Sequence, residues 1–394
     1  MSEADSAEQQ RLNSEAAREA DGNWKRWGTY LSERQWGTVR EDYSPDSQSW
    51  NHLPHDHARS RAYRWGEDGL LGFSDRQCRL CFSIALWNGK DPILKERLFG
   101  VNGDEGNHGE DVKEEYFYLD ATPTHSYCKG LYKYPQSEFP YARLIDENKA
   151  RSRNEPEFEL TDSGALDDEA YFEAEIEYAK AGPNDILIRL TIQNCGPNTA
   201  ELHLLPTFWF RNTWAWGCDH EGCWPKPDIS RGAGTDYLVA THQTLERFVI
   251  AADRDATDAK PTWLFTDNET NTELFPKQAS ASRFAKDAFH RFVIDGDTKA
   301  IRSDDSGTKT AAHYQVQLDA GDSRTFRLRM VSEAAAPQEL FGKDFDAVFE
   351  LRSQEADAFY ESRTQGMDPE QANVFRQACA GLIWTKQVLS LRCG

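Results

Sequence analysis

Between about residues 67 and 335 the chain is a close succession of strand patterns, with no regularly spaced helices between them. That spacing restricts the fold more than any other feature. Phe172, Ala174, Ile176 and Tyr178 alternate with Glu173, Glu175 and Glu177, the period-two signature of a half-buried strand with an acidic outer face. Ile186, Ile188, Leu190 and Ile192 alternate in the same way with Leu187, Arg189, Thr191 and Gln193, and TFWF at 207–210 closes another apolar segment. FVIAA, TWLF, RFVI, YQVQL and FRLRM follow as further strands, separated by Gly, Asp, Asn, Ser and Pro clusters. Parallel strands would need crossover helices, so the expected fold class is mainly β, an antiparallel sandwich.

The charge excludes several partners. The chain has 394 residues and a formal net charge of −21. Nucleic-acid binding relies on a basic footprint and an anionic membrane surface on polybasic segments, so neither partner is expected. The chain is 39% hydrophobic and 12% aromatic, enough for a large core. No stretch is apolar enough to span a bilayer and the first twenty residues have no signal-type apolar run, so the expected location is cytoplasmic with reduced thiols. Eight cysteines are too few for a disulfide framework. Cys78 and Cys81 form a CxxC that reads as part of a strand, where residues three apart face opposite ways and clamp a metal poorly. Cys218, His220 and Cys223 in GCDHEGC lack a fourth ligand. No metal and no cofactor is expected.

Residues 1–23 read as a polar N-terminal arm, frayed or helical, and 24–66 as irregular, aromatic-rich structure. Towards the C-terminus the period changes. Phe345, Val348, Phe349, Arg352, Ala356 and Phe359 recur at helical spacing, and Gly366 suits the end of that helix. Asp368, Pro369 and Gln371 then form an N-cap, a proline at the first helical position and a glutamine at the third. The helix they start has the spacing of a face made by Phe375, Ala378, Cys379, Leu382 and Ile383. With little chain after it, that face must turn back onto the sandwich, meet another chain, or belong to a longer protein, and the last reading is favoured.

The runs PHDHARSRAYRWGEDGL (54–70), LCFSIALWNGKDPILKERLFG (80–100), GNHGEDVKEEYFYLDATPTHSY (106–127), LYKYPQSEFPYA (131–142) and HLLPTFWFRNTWAWG (203–217) carry a resemblance. Together they closely resemble the N-terminal part of microbial glucosidase-like proteins related to glycoside hydrolase family 63, similar in plan to the mannosyl-oligosaccharide glucosidases. The resemblance spans most of residues 20–390. It implies a large antiparallel β-supersandwich over 24–338, a linker helix over 339–366, and the start of a truncated (α/α)6 barrel over 367–394. It also implies inverting hydrolysis of an α-glucosidic bond in an oligosaccharide or small glucoside. In that family the acid and base carboxylates sit in the barrel, beyond this chain, and the closing VLSLRCG departs from the family's continuation. No catalytic residue is therefore assigned here, and the chain is expected to be inactive alone. The alternative is a carbohydrate-binding or interaction module that works with a separately encoded (α/α)6 catalytic chain. A third reading, an independent sandwich enzyme with a His/Glu acid–base pair, finds no support in the histidine spacing.

Two clusters could touch sugar. His55, Asp56, His57, Arg59 and Arg61, with nearby Trp65, offer donors, acceptors and a stacking face. The plainer reading, that charge-assisted bonds knit this loop together, is favoured. His108, Glu110 and Asp111 lie on a glycine-flanked loop that reads equally as a sugar contact or as a solvated acidic loop. Trp214 and Trp216, taken as two residues apart on a strand, read as sheet core rather than an exposed platform. The run from Glu155 to Glu177, which contains no Lys or Arg, reads as a solvated strand face with its turns.

Overall fold

The computed structural model describes residues 6–19, 22–31, 53–63, 66–216, 224–255, 257–275 and 282–386. Trp65, the Cys218–His220–Cys223 run and the VLSLRCG ending lie outside the described residues, as does the side chain of Trp216. The first strands are β1 (Trp27–Gly28), β2 (Leu70–Asp75), β3 (Leu80–Trp87), β4 (Gly100–Val101), β5 (Asp111–Val112) and β6 (Glu115–Ala121). The middle ones are β7 (Tyr127–Pro135), β8 (Tyr171–Gly182), β9 (Asp185–Asn194), β10 (Ala200–Phe210), β11 (Asp228–Arg231) and β12 (Leu238–His242). The last are β13 (Leu245–Ala252), β14 (Thr262–Thr266), β15 (Ser306–Gly307), β16 (Lys309–Leu318) and β17 (Ser323–Ser332). The α-helices are α1 (Ala7–Ala17), α2 (His55–Ala58), α3 (Tyr141–Ala150), α4 (Ala288–Val293), α5 (Asp344–Glu361) and α6 (Pro369–Trp384).

The strands build a six-stranded sheet, β1-β2-β3-β10-β16-β14, a nine-stranded sheet, β15-β11-β12-β13-β17-β9-β8-β7-β6, and a small β4–β5 pair. Neighbouring strands run antiparallel throughout. The fold is mainly β, as the strand spacing predicts. The core lies between the two large sheets: Phe82, Ile84, Leu204 and Phe208 of one pack against Ile176, Tyr178, Ile188 and Leu328 of the other. The alternation in β8 divides as read, with Phe172, Ala174, Ile176 and Tyr178 fully buried. Its glutamates are paired rather than merely solvated: Glu175 meets Lys129 at 2.8 Å, Glu177 meets Arg189 at 2.7 Å and Glu173 meets Lys133 at 3.5 Å.

Further sequence readings change. RFVI is not a strand, because its residues fall in and just after α4, whose Phe289 is buried on the outer face of the six-stranded sheet. A short apolar run does not distinguish strand from helix by periodicity, and here the run covers a sheet instead of joining one. Trp214 and Trp216 sit in a 3-10 turn after β10, and Trp214 packs against the main core with its indole N–H on Glu269 at 2.5 Å. Cys78 lies in the left-handed turn before β3 (φ 49°) and only Cys81 is on the strand.

The polar N-terminal segment folds as α1 and is docked. Its buried Glu8 accepts bonds from Thr124 N–H at 2.7 Å and Ser126 Oγ at 2.7 Å, while Arg11 bridges Glu8 and Glu355 of α5. In α5 the predicted stripe is the buried one: Phe345, Phe349, Arg352, Ala356 and Phe359 face inward. Gly366, at φ 86°, supplies the left-handed conformation between the two last helices. The Asp368/Gln371 capping box then starts α6. The buried face of α6 is rotated from the predicted one. Ala380, Ile383 and Trp384 turn back into the main core and Trp384 stacks on Tyr118, whereas Leu382 is 76% and Val374 62% exposed.

Candidate functional site

Side chains on β3, β10 and β16 that point away from the main core face a layer of covering loops. Strand register places Ser83 beside Thr207 and Trp209 beside Lys309. Ala85, Leu205, Leu264 and Ala311 form the apolar part of this face, covered by Phe289 of α4. At its polar end Glu67, Asp68, Ser83, Ala85, Glu96, Arg97, Thr207, Trp209, Asn268, Lys286 and Lys309 line a cavity of about 20 Å³. That volume holds about one water, so a whole sugar ring does not fit.

The charges there are matched. Arg97 Nε donates to Asp68 at 3.2 Å, and Tyr63 Oη donates to the other Asp68 oxygen at 2.8 Å. Lys309 Nζ donates to Glu96 at 2.6 Å and to the Lys286 carbonyl at 2.9 Å. Lys286 Nζ lies 3.6 Å from the Tyr63 ring centre and donates to the carbonyls of Ala58 and Arg61, both at 3.2 Å. Glu67 accepts from Asn268 Nδ2 at 2.8 Å. Burial pushes the Glu67 carboxyl upward against the pull of Lys286, and burial together with Arg97 brings the Lys286 ammonium down to about 8. Oppositely shifted groups in one enclosure are what acid–base sites use, although ion-pair networks produce them too.

The predicted residues take separate places. His55 lies in α2, buried, stacked on Tyr141 and edge-on to Phe99. Burial, helped by Lys95 and Arg97, holds its imidazole well below the ordinary value, so it is neutral at pH 7. Asp56 and Arg59 form an exposed pair at 3.0 Å, the knitted-loop arrangement. His57 and Arg61 pack against the Phe275 ring. This segment covers the cavity through the Lys286 bonds. On the other loop, Asn107 Nδ2 and His108 Nε2 bond the Glu155 carbonyl, each at 3.0 Å. Glu110 is half-buried. Asp111 joins Glu157 and Glu159 in a carboxylate trio whose oxygens lie within 4.8 Å of one another. The fully buried Lys113 ammonium already sits among them, at 3.1 Å from Asp111 and 2.9 Å from Glu159. Burial works against that charge, but hydrogen bonds to Glu157, Glu159 and Asp111 hold its pKa above the usual lysine value. The trio thus has its cation from within the chain. Both clusters abut Phe99: His55 on its ring, Lys113 N–H on its carbonyl.

Sequence reasoning missed the cavity itself. Its charged residues were visible as exceptions to apolar runs, Glu67-Asp68 in WGEDGL and Glu96-Arg97 in ILKERLFG. Their meeting with Asn268, Lys286 and Lys309, about two hundred positions later, depends on sheet order.

No family model matches the chain. Over 401 aligned residues it is 41% identical to an uncharacterized protein of Saccharomyces cerevisiae, YMR196W, covering 92% of this chain and 37% of that relative. The chain therefore spans little more than a third of the length of the curated relative it matches. Among solved structures, a polysaccharide lyase is 11% identical over 70% of this chain and 28% of its own, with a TM-score of 0.30. A protein named as a kojibiose phosphorylase, from the human microbiome, is 9% identical over 84% of this chain and 37% of its own, with a TM-score of 0.29. Scores this low carry no inference about function.

Proposed function

We propose that this chain is the non-catalytic N-terminal portion of an inverting α-glucosidase-like glycoside hydrolase that acts on an oligosaccharide or small glucoside. One observation carries the reading. Runs far apart in sequence that bear the family resemblance converge on a single cavity: Glu67 and Asp68 from the first, Ser83, Ala85, Glu96 and Arg97 from the second, Thr207 and Trp209 from the last. On this reading residues 24–338 are the sandwich domain, 339–366 the linker and 367–394 the start of an (α/α)6 barrel. The outward stripe of α6, with Val374 and Leu382, is the face that further barrel helices would cover. The acid and base then come from outside this chain, because Asp68 and Glu96 are committed to ion pairs and the cavity has no room for a glycosidic bond and a water.

The test is an assay of the purified chain on α-linked glucosides, where no turnover is expected. Co-expression with the part of the yeast relative that it does not cover is expected to give hydrolysis. Turnover by the chain alone would overturn the reading. Restoration only when the two parts are separate polypeptides would favour a module paired with a separately encoded barrel.

A further inference from the structure

The outward face of the six-stranded sheet brings two histidines together. Leu202 and Leu204 of β10 point into the main core, so His203 between them points outward, as does Glu201 two residues before it. On β16 the register sets Gln315 opposite His203, and His313 lies two residues along on the same face. There His203 Nδ1 is 2.9 Å from His313 Nε2, across 110 positions of sequence. Trp87 stands edge-on to His203 and Phe292 edge-on to His313, so aromatic rings flank the pair.

The neighbours set the protonation states. Glu201 Oε1 lies 3.4 Å from His203 Nε2. An ionised carboxylate only accepts, so Nε2 carries the proton of the neutral ring and Nδ1 turns a lone pair towards His313. The Gln315 amide, 3.3 Å from the same Nε2, fits this state with its oxygen turned to that nitrogen. Burial lowers the pKa of both imidazoles, His313 to about 4, so both rings are neutral at pH 7, the form that binds a metal. A carboxylate on the far nitrogen is also the arrangement that orients a ligating histidine. Two nitrogens 2.9 Å apart, each about 2.0–2.1 Å from one ion, subtend about 90° at it. That is the cis angle of a tetragonal or octahedral ion, narrower than the tetrahedral angle of structural zinc. The Glu201 side chain is 61% exposed and Gln315 is exposed too, which opens this end of the pair to ions and water.

We propose that His203 and His313 form a two-histidine site for a divalent transition-metal ion of the nickel(II) and copper(II) class, with water completing its shell and Glu201 as a positioning residue. The ion takes the place of the proton between the rings, and that proton moves to His313 Nδ1, so none is released. The site shares no residue with the cavity and does not depend on the hydrolase reading.

The probe is nickel(II) chloride added to the full chain near neutral pH, with magnesium chloride as the comparison. It is read on the imidazole ring signals of His203 and His313, assigned by their loss in His203→Gln and His313→Gln. Nickel is expected to broaden both sets of ring signals together and saturably in the micromolar range, and magnesium is expected to change neither. Loss of an outer-shell partner costs a metal site about 10–100-fold, so His313→Gln, which removes a ligand, is expected to weaken nickel binding at least about tenfold on the remaining His203 signals. Glu201→Leu, at an exposed position, keeps both ligands and is expected to weaken it about tenfold. If His313→Gln does not fold, the wild-type titration still decides. Ring signals that stay sharp in a large excess of nickel mean that the pair is a hydrogen bond and nothing more, which overturns the proposal. Broadening of one ring without the other, a response to magnesium, or full nickel affinity in folded His313→Gln or Glu201→Leu overturns it as well.

Discussion

At the scale of single residues the buried cations stand out. Among the described residues Lys180 has no carboxylate partner in its hydrogen bonds. Its Nζ donates to the carbonyls of Trp24, Trp27 and Thr124, the latter two at 2.7 and 3.0 Å. Burial lowers its pKa to about 7, yet three carbonyls need the three protons of the ammonium. Lys180→Met leaves all three without a donor and is expected to cost about 3 kcal/mol, read from urea unfolding at pH 7. A loss under about 0.5 kcal/mol would show that water replaces the amine. Several buried histidines weaken the fold in acid. His203 Nδ1 and His313 Nε2 are 2.9 Å apart on neighbouring strands. Burial, then His203, lowers His313 to about 4, and burial, then Arg79, lowers His242 to about 4. Between about pH 6.5 and 4 the unfolded chain holds protons that these folded-state imidazoles refuse, so their contribution to stability is complete above 6.5 and is lost as pH falls through that window. His313→Gln is expected to flatten the fall in urea midpoint between pH 7 and 5, and an unchanged slope would assign the fall to other groups. None of this was legible in the sequence, where a lysine or histidine in a strand carries no mark of its partners.

At the scale of elements, period and caps were legible and faces only partly so. The stripe of α5 and the Asp368 cap and first-turn proline of α6 follow from local spacing and side-chain chemistry. The face of α6 does not, because its apolar residues run nearly all the way round and only tertiary packing selects Ala380, Ile383 and Trp384. Substitutions separate the two sides. Trp384→Ala removes an indole stacked on Tyr118 and bonded to the Asp120 carbonyl, and is expected to cost about 3–5 kcal/mol in thermal or urea unfolding. Leu382→Ser on the outward side is expected to change stability by less than about 0.5 kcal/mol in this chain. A large loss from Leu382→Ser would mean that the outward side is already covered in solution. RFVI was misread for a related reason, since four apolar residues pack equally well within a sheet or over one.

At the scale of the whole molecule, the antiparallel sandwich was legible from strand spacing alone, while the cavity was not. The cavity exists because sheet order brings β3, β10 and β16 side by side and loops from both halves of the chain close over them. The same long-range wiring joins early and late segments. Arg11 grips Glu355 across 344 positions, and Thr29 Oγ1 donates to the Ile383 carbonyl at 3.0 Å across 354. Arg11→Ala, which cuts the first of these ties and strands Glu8 in the interior, is expected to make the first helix a site of early proteolytic nicking, visible by limited digestion. These two ties work as a clasp. A tensile load applied between residues 7 and 384 would run through the clasp and, by way of the Glu8–Thr124 and Trp384–Asp120 bonds, into the β6–β7 edge of the nine-stranded sheet.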